Sequence, residues 1–94
     1  MPLTFDIEQF PKDAAGRLPE GDIAILVTMV REAQSRFPVS AVAHQLGITH
    51  GRVRHRTFKS LEAMKAFPSL SKYRQYVEEV MARPTVLLRE PPKP

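Results

Sequence analysis

The chain has no cysteine, which excludes disulfides and thiolate-ligated metal centres. It has no apolar run approaching the roughly 20 residues of a membrane span, so no membrane partner is expected. Its first residues, Met1-Pro2-Leu3-Thr4-Phe5-Asp6, lack the basic and then apolar order of a signal peptide. A cytoplasmic location is therefore expected. The usual signs of catalysis are missing as well. No Ser/His/Asp order, paired acids or Gly-rich phosphate loop stands out. His50 and His55 point in different directions on a helix and His44 falls on another element, so no zinc or iron site is expected. With 94 residues, the chain has room for one modest core but not for a two-domain enzyme with a deep cleft. The expectation is a non-enzymatic domain with no catalytic residues, cofactor or metal.

What the sequence does contain is charge, unevenly placed. The formal net charge is +4. Residues 1–32 carry three basic and six acidic side chains, a balance of −3. Residues 33–77 carry eight basic side chains against Glu62 alone, a balance of +7, together with all three histidines. Residues 78–94 carry three of each sign. A basic block inside a folded region points to a polyanion, most often nucleic acid. A solvated helix face is the plainer alternative.

Hydropathy patterning predicts an all-α domain of four or five helices with extended or short β-prone ends. Residues 1–19 read as an extended leader, punctuated by Pro2, Pro11, Gly16 and Pro19. Within it, Leu3, Phe5 and Ile7 alternate with polar residues as in a short strand. Residues 20–83 read as the helical domain and 84–94 as a Pro-rich tail, in which Thr85–Arg89 form a second β-prone piece. The first helix is expected over about 20–36, with Ile23, Leu26, Val27, Val30, Ala33 and Phe37 as its stripe. Ile25 and Met29 lie on another side, and Pro38 is expected to stop the helix. A short helix capped by Ser40 then ends at Gly47. The next is expected from Thr49 to about Ala66, with Val53, Thr57, Leu61 and Met64 inward. A last helix follows Ser69 or Ser71, with Leu70, Tyr73, Val77, Val80 and Met81 inward.

The segment from Val39 to Phe58 fits a helix-turn-helix. Ala43 is the small residue that allows the second helix to cross closely, and Gly47 suits the left-handed turn conformation. Ile48 plugs the space between the helices. Thr49 caps the second helix, and Val53 anchors it onto the first. With Val53 inward, the opposite face carries His50, Gly51, Arg52, Arg54, His55 and Arg56. The first residues of such a helix enter the DNA major groove, where Arg reads guanine O6 and N7. His50, Gly51, Arg54 and His55 are the candidates for base edges. Thr49, Arg52, Arg56 and Lys59 are the candidates for phosphates. Tyr73 and Tyr76 offer rings for base stacking, but Tyr73 falls on a core stripe.

The run Gly47-Ile48-Thr49-His50-Gly51-Arg52-Val53-Arg54-His55, followed by Lys59-Ser60-Leu61-Glu62-Ala63-Met64-Lys65, resembles region 4 of bacterial sigma factors. The similarity covers about residues 39–77 and extends to Pro68-Ser69 and Ser71. It implies contact with a minus-thirty-five-type promoter element and with the flap of RNA polymerase. The departures fall where bases are read or flanked. Gly51 stands where an acidic residue is usual, His50 replaces Arg, His55 replaces Gln, and Arg56 replaces an apolar residue. The family's target sequence therefore does not carry over, and the chain has no room for a promoter-melting domain.

The function expected from the sequence is a helix-turn-helix transcriptional regulator binding double-stranded DNA. A homodimer is expected, because one such module makes a limited interface. Two alternatives stand beside it: a sigma-region-4-like accessory protein that binds RNA polymerase, and a protein–protein interaction module whose basic face is incidental.

Overall fold

A computed structural model describes residues 5–82. Five helices follow one another: α1 (Phe10–Ala14), α2 (Glu20–Arg31), α3 (Pro38–Leu46), α4 (His50–Met64) and α5 (Ser71–Ala82). A 3-10 turn, Pro68–Leu70, leads into α5. Among the described residues there is no strand, so the all-α expectation holds. The tail at 84–94, with its β-prone piece, lies outside the described residues, as do Leu3 and Thr4.

The extended leader is corrected by the structure. Residues 7–9 form a turn rather than a strand, closed by the Asp6 carboxylate, which accepts from the Glu8 and Gln9 backbone N–H groups at 3.0 Å each. Helix α1 follows, with Pro11 in its first turn, where a missing N–H costs nothing. Phe10 and Ala14 are fully buried, and Leu18 nearly so. The helix is barely longer than one turn, and its only inward pair is spaced i, i+4. No hydropathy periodicity can develop over so short a span, which is why the segment reads as a leader.

Helix α2 begins after Pro19, with Glu20 and Asp22 in its first turn, where they complement the helix dipole. It stops at Arg31 rather than at 36. Glu32 leaves helical geometry at φ −98° and ψ 11°. Pro38 excludes the helical conformation from the residue before it, and Phe37 takes φ −131° and ψ 76°. Pro38 thus does more than stop α2: it is the first residue of α3, and Phe37, not Ser40, occupies the N-cap position.

Two apolar clusters share α2. One joins Leu26 to Phe10, Leu18, Leu61, Leu70 and Tyr73. The other joins Ile25 and Met29 to Val42, Ala43, Val53 and Val80. This explains the apolar residues on two sides of α2: each side faces its own cluster. The second cluster is the bed on which α3 and α4 rest.

The first cluster contains one tightly held polar contact. The buried Tyr73 hydroxyl donates to Asp13 Oδ2 at 2.7 Å, with Phe5 and Phe10 each 4.9 Å from the Tyr73 ring. Burial, helped by the bond to Asp13, pushes the Tyr73 phenol up to about 12. The same bond holds the Asp13 carboxyl below its ordinary 3.8. The folded chain therefore keeps the phenolic proton where the unfolded chain loses it, and stability falls as pH rises from about 10 to 12. At the acid end, the Asp13 contribution is present above 3.8 and is lost as pH falls through the lower folded value. Tyr73→Phe should lower stability at neutral pH and flatten the alkaline limb, which urea melts at pH 8 and 11 would measure.

Candidate nucleic-acid interface

Helices α3 and α4 are joined by two residues, Gly47 and Ile48, before the Thr49 cap. Gly47 takes φ 67° and ψ 33°, the left-handed region that costs a side-chain-bearing residue about 1–2 kcal/mol. This turn lets the Ala43 carbonyl accept from both Gly47 and Ile48, the latter at 3.1 Å. Ala43, at 5% exposure, gives α4 room to cross. Val53, fully buried, sits opposite it in the second cluster, with Ile48 packed against them. Thr49 is extended, at φ −78° and ψ 157°, and its Oγ1 accepts from the Arg52 N–H at 3.0 Å. These contacts fix the turn between α3 and α4 and seat both helices on the second cluster.

The inward side of α4 is formed by Val53, Thr57, Ser60, Leu61 and Met64. On the opposite side, Gly51, Arg52, His55, Phe58, Lys59 and Glu62 are exposed. Arg54 flanks this side and is exposed as well. The helix has 15 residues, which makes it about 22 Å long, and it presents its first three turns with open space around Gly51. His50 lies at the start of α4, exposed, with Nε2 3.1 Å from Ser40 Oγ on α3. Ser40, expected as a cap, thus braces the first residue of α4 instead.

The basic block sorts into paired and free charges. Lys65 is bonded to Glu62 and Arg74 to Glu78, both at 2.9 Å. Arg56, expected to reach phosphate, turns away from the exposed face. Its Nε lies 3.0 Å from Asp22 Oδ1 on α2, and the Asp22 side chain is only 7% exposed. The contact is an ion pair without hydrogen-bond alignment. Arg52, Arg54 and Lys59 have no carboxylate partner among the described residues. The free positive charge of α4 is therefore concentrated on these three side chains. Tyr73 has no exposed ring face and cannot stack on a base.

Arg56 thus separates stability from binding. Removing it leaves the Asp22 carboxylate buried without its counter-charge. A fully buried pair broken in this way costs about 3–5 kcal/mol, and the partial exposure of Arg56 reduces that to roughly 1–3 kcal/mol. Arg56→Ala should lower the urea midpoint by that amount and leave the salt dependence of any polyanion binding unchanged.

The sequence reading missed Phe58. It is 48% exposed, beside Arg54, whose guanidinium carbon lies 5.9 Å from the ring centroid. The available signal was its place four residues after Arg54 and seven after Gly51, on the side away from Val53.

No protein family, curated protein or solved structure matches the chain. Among the described residues no group of His, Asp or Glu is placed to hold a metal ion. No described helix is long and apolar enough to cross a membrane.

Proposed function

We propose that this protein is a sequence-specific DNA-binding regulator of transcription that seats α4 in the major groove of duplex DNA. The observation that carries the reading is the free charge of α4. Arg52, Arg54 and Lys59 have no carboxylate partner among the described residues and stand exposed on a helix that follows a glycine turn and a threonine cap. A helix of this diameter fits the major groove. In this reading Arg54 and His55 meet base edges, and Gly51 brings the backbone close to them. His50 reaches a base from its bracing position beside Ser40. Arg52, Lys59 and the Thr49 hydroxyl, which keeps its proton free to donate, hold phosphates. Arg56 drops out of the phosphate set. The protein works in the cytoplasm as a homodimer, because one short helix reads too few base pairs to be specific alone.

A second reading keeps the same interface and changes the partner. The glycine turn, cap and basic run are the features that resemble sigma region 4, and they support an accessory protein that meets promoter DNA together with RNA polymerase. Selection of bound sites from random duplexes separates the two. A palindrome supports the dimeric regulator, and a lone asymmetric site supports the polymerase-associated one. In either case Arg54→Ala should relax preference at one base pair by about 1–3 kcal/mol. A selection that returns no enriched sequence contradicts both.

A further inference from the structure

Phe58 is the largest apolar side chain on the exposed face of α4, and it belongs to neither apolar cluster. At 48% exposure it is the most exposed large hydrophobic residue described. Its ring lies beside Arg54, one turn earlier. An aromatic face attracts a guanidinium within about 6 Å of its centroid. Unlike a carboxylate, it holds the cation without occupying its N–H donors. Arg54 is thereby restrained with its hydrogen-bonding edge free.

We infer that Phe58 is a specificity-determining residue that reads the C5-methyl group of a thymine beside the guanine read by Arg54, an inference resting on the DNA-binding function proposed above. Four residues of helix advance about 6 Å along the axis, and bases in one strand are about 3.4 Å apart. The thymine therefore lies within two base pairs of the guanine. The methyl group is the one apolar feature on the major-groove edge of the bases, and phenylalanine is among the side chains that pack on it. Docking buries the exposed ring against that methyl, and the same ring keeps Arg54 aimed at O6 and N7.

The test uses the full-length chain and the duplex recovered by selection from random sequences, synthesised with thymidine and again with deoxyuridine at the one thymine beside that guanine. The two duplexes pair alike and differ only in the methyl. The wild-type protein should bind the thymidine duplex about fourfold more tightly, the worth of one buried methyl at ~0.8 kcal/mol. Phe58→Ala should bind both duplexes equally, and Phe58→Leu should keep part of the preference. Because the ring is about half exposed, both variants should lose little stability, and binding is compared where melts show each of them folded. Equal binding of the two duplexes by the wild type, a selected site without thymine near the guanine, or an undiminished preference in Phe58→Ala overturns the inference and leaves the DNA-binding reading standing. A Phe58→Ala protein with unchanged preference and altered sedimentation also overturns it, by placing the ring in a protein contact. Failure to bind any duplex overturns both.

Discussion

Replacing Phe10 with alanine is expected to destabilise the protein by about 3–5 kcal/mol. The side chain is fully buried and lies 4.8 Å from Phe5 and 4.9 Å from Tyr73, ring to ring. It plugs the first cluster where α1 crosses α2 and the start of α5. A chain of this size has about 5–15 kcal/mol of stability in total, so the loss is a large fraction of it. The melting temperature should fall by more than about 12 °C. A fall of under about 4 °C would mean that the segment adds little to the core, as an extended leader would. Because α4 contributes Leu61 and Met64 to the same cluster, the substitution should also weaken whatever α4 binds, in proportion to the fraction unfolded.

The second large effect falls on binding. Arg52→Ala combined with Lys59→Ala should lower duplex affinity about 100-fold, at roughly 1.5 kcal/mol per charged contact. Neither side chain has an ion-pair partner among the described residues, and both are exposed. The double variant should therefore melt within about 4 °C of the wild type, since surface changes away from such features stay within about 0.5 kcal/mol. The contrast with Arg56→Ala is the useful one. That substitution should cost stability and spare the intrinsic contact, whereas this pair should do the reverse. Fluorescence anisotropy on a labelled duplex, with urea melts alongside, reads both.

The parts of the molecule legible in the sequence are those governed by local rules. The turn at Gly47 and the cap at Thr49 depend on backbone conformation and on one side-chain oxygen, and both stand where the spacing puts them. The inward stripe of α4 follows from helical periodicity over four turns, long enough for the signal to repeat. The features that escaped are set by long-range packing. Phe10 is buried by residues some 60 positions away, as its contact with Tyr73 shows, and a helix as short as α1 gives no period to read. Arg56 looks like its basic neighbours until α2 brings Asp22 against it. Ser40 looked like a cap because it precedes a helical stretch, but Pro38 already started that helix. Ile25 and Met29, apolar on a second side of α2, are buried in the second cluster by Val42, Val53 and Val80, residues that no local pattern ties to them.

The concentration of the +7 block also changes once the fold is known. Among the described residues, three of its basic side chains pair with carboxylates, at Asp22, Glu62 and Glu78. What remains on α4 is smaller than the sequence balance but better placed. Unpaired charge on one exposed face can displace the counterions condensed on a duplex, whereas paired charge contributes little.

The salt dependence of duplex binding tests the central claim most directly. On a plot of log affinity against log salt between 50 and 200 mM, each phosphate contact adds about −0.9 to the slope. The account predicts a steep negative slope for the wild-type protein that becomes shallower by about 1.8 when Arg52 and Lys59 are both replaced. No binding at 50 mM salt, or a slope that the double substitution leaves unchanged, would contradict it.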